Sequence, residues 1–290
     1  SDLQWICNSL LEINQLELNN LALTLGSESS DLKVNNPLIL DQINEKLISG
    51  AADLELNDLL SITNGELSSS GGEIRLNNGL DISGGEVEFL NSSLLIGSEL
   101  GSQVSLIQSG GSLLADTSSL QLIQNLILQS IEGFSFQSLD LNSRELSLAS
   151  ETSSLSLKEK LIFDLVSEKI DTGSADLRLE GGIQMSAGEI SSSGGTIALS
   201  LTADNHFQND AVMILENTAL EPVDPDSGSA IMTLDGEPNI SLNGGTISFI
   251  DLQRSEGTIG TVSTRDGVSC SESCNGFDET GSYGLNTHGL

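Results

Sequence analysis

Positive charge is what this chain has least of. Lys and Arg total 10 against 42 Asp and Glu, a formal net charge of -32 over 290 residues. A phosphate backbone binds through the Lys and Arg that displace its counterions. Ten scattered bases under an acidic field therefore exclude nucleic acid as a partner. The same field repels anionic membranes and polyanionic substrates. Aromatics are 3% of residues, with one Trp and one Tyr, so platforms for stacking a sugar are scarce. No apolar run approaches the roughly 20 residues of a membrane span, residues 211–215 being among the longest. That argues against membrane insertion. There are only two histidines, His206 and His288, and no Gly-x-Ser-x-Gly elbow. The expectation is a protein that is not an enzyme and carries no resident cofactor, calcium being the one ion considered below.

What the chain has is alternation in short bursts. Leu16-Glu-Leu18, Leu54-Glu-Leu56, Ile74-Arg-Leu76, Leu139-Asp-Leu141, Leu155-Ser-Leu157 and Leu177-Arg-Leu179 each read in, out, in. Period 2 over a few residues is the signature of a half-buried strand. Gly, Asn, Ser and Asp separate the bursts and supply the turns. Strands this short, repeated this often and built on Leu, suit a solenoid in which each coil lies on the one before.

Glycine pairs mark the corners. Ser68-Ser-Ser-Gly-Gly-Glu-Ile-Arg-Leu76 is matched by Ser191-Ser-Ser-Gly-Gly-Thr-Ile-Ala-Leu199, and Gly84-Gly-Glu-Val-Glu-Phe89 by Gly244-Gly-Thr-Ile-Ser-Phe249. A corner needs backbone angles that Gly supplies, and the next strand must restart at once with an inward Ile, Val or Leu. The spacing of the pairs predicts an all-β parallel β-helix with coils of roughly 20 to 26 residues. About 250 residues then make on the order of eleven coils. These Gly-Gly-x-Ile-x-Leu bursts, with Ser and Asn between them, resemble bacterial secreted β-helix surface proteins of the filamentous-haemagglutinin-like and autotransporter-passenger type. The resemblance covers most of residues 50 to 263. It implies a right-handed coil, export, and a role in adhesion or surface assembly.

Three stretches interrupt the rhythm. In residues 36–50, Pro37 follows Asn36, and Ile39, Ile43 and Leu47 share one helical face; a short helix is expected, with strands at 38–40 and 46–48 as the alternative. Residues 157–170 place Leu157, Leu161 and Leu165 four apart and could be helix or strand. Residues 216–229, with Pro222 and Pro225, read as a lateral loop. The expected organisation is an N-terminal cap or docking segment over 1–50, a solenoid body over 51–263, and a docking tail over 264–290.

Three sets of residues are candidates for function, and a fourth reads as structural. Glu221, Asp224 and Asp226 offer hard oxygen ligands at short spacing and are the candidate calcium ligands. Three cysteines, Cys7, Cys270 and Cys274, point to a disulfide, either Cys270 with Cys274 or Cys7 with one of them. Trp5 and Ile6 near one end, and Phe277 and Tyr283 near the other, gather the scarce aromatics and read as assembly contacts. The asparagines of Asn64-Gly, Asn78-Gly, Asn243-Gly and Asn275-Gly read as turn residues that stack amides between coils. The chain opens Ser1-Asp2 without Met, as a mature exported protein would. Together these lead to an extracellular or cell-surface structural subunit. It polymerises with copies of itself, head to tail, into a filament, tube or sheath. Two other readings stay open: a monomeric adhesin stalk that binds a ligand or calcium, and a β-helix enzyme that degrades polysaccharide.

Overall fold

The computed structural model describes residues 2–6, 8–255, 258–259, 261–265 and 268–272. The chain is a parallel β-solenoid of about 12 turns with about 1% helix. It divides into two units, Ser1–Asn142 and Ser143–Leu290.

In the first unit one face stacks Leu3–Trp5, Ala22–Leu25, Lys46–Gly50, Glu66–Ser69, Leu80–Phe89, Gln103–Leu114 and Asn125–Ser130. A second face stacks Leu11–Ile13, Leu32–Val34, Leu54–Leu56, Glu73–Leu76, Ser93–Ile96, Ser119–Leu122 and Ser138–Asp140. Leu38–Leu40 and Leu60–Ile62 begin a third ladder that continues into Leu80–Phe89. In the second unit the third face is fuller: Leu161–Phe163, Ile183–Met185, Asn205–Gln208, Ala230–Asp235 and Ile250–Arg254. Ladder partners such as Leu54 and Ile74 stand 20 residues apart, and others from 19 (Leu120 and Leu139) to 27 (Met213 and Ile240). Each such step is one coil.

Period 2 places alternate residues inside. Leu76, Val87, Leu128 and Leu148 are all buried, as the alternation requires. Phe89, Phe136, Phe163 and Phe207 are fully enclosed and Phe134 is buried, so five of the nine aromatics serve the core. Corners are tight. At Gly85, φ is +71° and a Cβ would overlap the Gly65 carbonyl oxygen of the neighbouring coil; Gly111 meets Gly85 in the same way. Close coil stacking, more than turn geometry alone, demands glycine there.

Two expectations are corrected and one left open is resolved. Residues 36–50 hold no helix: Leu38–Leu40 and Lys46–Gly50 are strands. The helical spacing was accidental, because Ile39 and Ile43 face solvent while Leu38, Leu40 and Leu47 are buried. Residues 157–170 likewise resolve into strand, Leu161–Phe163 preceding a turn and Lys169–Asp171 following it. The lateral loop near 216–229 is shorter than expected. Ala219–Pro222 pairs with Thr196–Leu199 as a coil strand, leaving residues 223–229 and a single 3-10 turn, Pro225–Ser227, outside the ladders. That turn is the only helix of any kind among the described residues. Coil strands also run through residues 3–50, and Thr261–Arg265 and Ser269–Glu272 extend the ladders into the segment read as a tail.

Candidate functional site

The proposed calcium ligands are not brought together. Glu221 lies on a coil strand opposite Ala198, whereas Asp224 and Asp226 lie on the excursion that follows. The Asp224 carboxylate accepts a hydrogen bond from the Ser227 hydroxyl. Among the described residues, no three His, Cys, Asp or Glu side chains gather as an ion site. His206 stands between Gln184 and Thr233 in its ladder and contacts Gln208 at 3.4 Å, an outward position. Cys270 is disulfide-bonded. Both expected partners, Cys274 and Cys7, lie outside the described residues, as do Phe277, Tyr283, His288 and Asn275.

The first coil is where the remaining expectation falls. Among the described residues Leu3–Trp5 pairs only with Ala22–Leu25, and Leu11–Ile13 only with Leu32–Val34. Leu3, Ile6 and Leu10 are exposed there, and Trp5 is half-buried with its indole Nε1 enclosed and without a hydrogen-bond partner. Two side-chain columns reach this coil. Glu12, Lys33, Glu55 and Arg75 alternate in sign along successive coils, with Lys33 Nζ 3.2 Å from Glu55. Beside them runs an amide ladder: Asn77 donates to Asn57 at 2.7 Å, Asn57 to Asn35 at 2.7 Å, and Asn35 to Asn14 at 3.4 Å. The ladder expected at the Asn-Gly corners is thus displaced. Asn64 donates instead to the Asp41 carbonyl and Asn78 to the Asp58 carboxylate. Amides stack where strands end in line, and the Asn-Gly corners are offset from that line.

Sequence reasoning missed a larger feature. Residues 18–76 align with 141–199 at a constant offset of 123, identical at 27 of 59 positions, which marks an internal duplication. The details agree atom by atom. Glu45 is buried and accepts the backbone N–H of Asp41 at 2.8 Å and Gln42 at 3.1 Å; Glu168 accepts those of Asp164 and Leu165 at 2.8 and 3.1 Å. Ser27 and Ser30 pair at 2.8 Å, as do Ser150 and Ser153. Asp53 accepts from Glu73 N–H at 2.7 Å, and Asp176 from Thr196 N–H at 2.8 Å. Lys46 pairs with Glu66, and Lys169 with Glu189. The hydrogen bond to Glu66, then its charge, holds the Lys46 ammonium above its ordinary pKa. Only the fragment at 68–76 and 191–199 was visible as repetition, because elsewhere identity is spread over separated corner and core positions.

No family model, no curated protein and no solved structure matches the chain.

Proposed function

We propose that the chain is a structural subunit that adds coil to coil with further copies of itself, forming an extracellular filament, tube or sheath. The observation that supports it is the first coil. A strand edge is a row of backbone donors and acceptors ready to pair with a strand of another chain. Here the edge carries exposed Leu3, Ile6 and Leu10 and the unpartnered Trp5 Nε1. The end-on contact is polar if it joins unlike ends, and a polar contact propagates. Residues 1–32 contain five acidic residues and no base, so approach to this edge is opposed by charge that salt screens. Negative-stain imaging of the purified chain tests the reading. Rods that lengthen as ionic strength rises support it, and their loss in Ile6→Lys/Leu10→Lys assigns the contact. Single particles of constant length at all salt concentrations overturn it.

A further inference from the structure

The duplication retains something that folding does not explain. Residues 38–47 and 161–170 have the same burial at every position: each holds a three-residue strand, then four exposed turn residues, then a buried Glu. In both, the exposed positions carry large aliphatic side chains. Ile39 is 54% exposed and its counterpart Ile162 52%; Ile43 is 78% exposed and its counterpart Val166 71%. Turn tips are ordinarily Gly, Asn, Asp or Ser, which cost nothing in water. An exposed branched aliphatic on a tip gains nothing for the fold, yet both copies keep one.

The turn that presents it is held rigid. Glu45 accepts the N–H groups of Asp41, Gln42 and, at 3.3 Å, Asn20; Glu168 does the same with Asp164, Leu165 and, at 3.5 Å, Ser143. A buried carboxylate in each copy fixes the tip before anything binds, which lowers the ordering cost of docking. Beside Ile43 the corner glycines Gly65, Gly85 and Gly111 floor a trough of about 480 Å³, walled by Lys46, Glu66 and Glu86. It offers a seat for an incoming side chain.

Charge says what the incoming surface is. The chain has five lysines, Lys33, Lys46, Lys158, Lys160 and Lys169, and all five fall in residues 33–46 and 156–169, the same window in the two copies. Each window carries as many acids as lysines and is neutral in a chain of net charge -32. The lysines pair with acids of the adjacent coil, for example Lys158 with the half-buried Glu180 at 3.0 Å and Lys169 with the half-buried Glu189 at 4.0 Å. Solvent-accessible pairs of this kind are held by about 1 kcal/mol or less, so they can re-pair with another carboxylate at little cost. An acidic surface finds lysine partners on this chain only in these two windows, and the acidic surface that accompanies every copy is that of another copy.

We infer that the Ile39/Ile43 and Ile162/Val166 turns are duplicate lateral docking sites. Each takes the acidic flank of a second copy of this chain, with the aliphatic tip as anchor and the neighbouring lysines as charge partners. The contact is side-on and independent of the end-on joint. The test is sedimentation equilibrium of the wild type, of Ile43→Ser/Val166→Ser, of Ile39→Ser/Ile162→Ser and of the end variant Ile6→Lys. Zero-length carbodiimide cross-linking of mixed isotopically light and heavy chains accompanies it. Both tip variants alter exposed side chains only, and far-UV circular dichroism checks that they fold. The expected result is Lys–carboxylate links between light and heavy chains that map to the two windows, and a dissociation constant raised about tenfold or more by either tip variant. Ile6→Lys leaves the side-on links in place even where it abolishes rods, which separates this contact from the end-on one. Unchanged self-association in both tip variants overturns the inference. So do links confined to single chains, or links between copies that persist undiminished when an added polyglutamate occupies the lysines.

Discussion

Replacing Glu45 by Ala tests whether buried carboxylates hold the duplicated turns. The side chain is 4% exposed and accepts three backbone N–H groups, from Asp41 at 2.8 Å, Gln42 at 3.1 Å and Asn20 at 3.3 Å. Truncation leaves all three without an acceptor and opens a small void under the turn. A buried donor left unpaired costs about 1–3 kcal/mol, and a bond to a charged acceptor stands at the upper end. Asp41, Gln42 and Asn20 are themselves exposed residues, so water can reach part of the set. The expected loss is therefore about 2–4 kcal/mol rather than the sum of three full penalties. Glu168→Ala removes bonds of 2.8, 3.1 and 3.5 Å and should cost somewhat less. The two losses should add, since the sites share no partner. Urea unfolding gives the magnitude, and hydrogen exchange at the Asp41 and Gln42 amides gives the location: both should lose protection in Glu45→Ala while strand amides of the same coil keep theirs. A Glu45→Ala protein within about 0.5 kcal/mol of wild type, the range of an ordinary surface change, would refute the reasoning.

Three further outcomes are expected. Leu128→Asp puts a charge at a core position of zero exposure and should cost about 4 kcal/mol or more, measured by urea midpoint; a smaller loss would mean that the interior admits water. Gly85→Ala combines φ +71° with overlap onto the Gly65 carbonyl oxygen, whereas Gly50→Ala has φ +59° and open space, so thermal melting should show the first to be clearly worse; equal shifts would remove the coil-contact argument. Burial raises the Glu180 carboxyl, but hydrogen bonds from Lys158 and Arg178 outweigh it and the pKa falls below its ordinary value. A depressed folded pKa adds stability above the unfolded value that is lost as pH falls through the folded one. Glu180→Gln should thus lose a little stability at neutral pH and converge with wild type in acid, so that urea midpoints fall less steeply as pH drops; the effect is small because solvent screens the site.

The fold was readable because its physics is local. Inward Leu and Ile at period 2 and glycine at corners follow from what a coil must do, and positions such as Leu76 and Leu128 are buried accordingly. The helix expected at residues 36–50 failed because Ile39, Ile43 and Leu47 mimic helical spacing although two of the three face water. An aliphatic residue kept outside for contact with something else cannot be told from a core residue by pattern alone. The amide ladder could have been found: Asn14, Asn35, Asn57 and Asn77 recur at steps of 21, 22 and 20, the coil length itself. Attention to Asn-Gly pairs, which report turns, concealed it. The lysine windows were equally available in composition, but their meaning depends on the 123-residue offset that the matched hydrogen bonds made plain.

Sedimentation velocity of the intact chain across a range of ionic strength, beside Ile6→Lys/Leu10→Lys, tests end-on association most directly. Wild type should move from a slow species at low salt to a broad distribution of faster, elongated species at high salt, while the variant forms none of these elongated species at any salt concentration. A single sharp boundary for the wild type at every salt concentration, indistinguishable from the variant, would contradict the account.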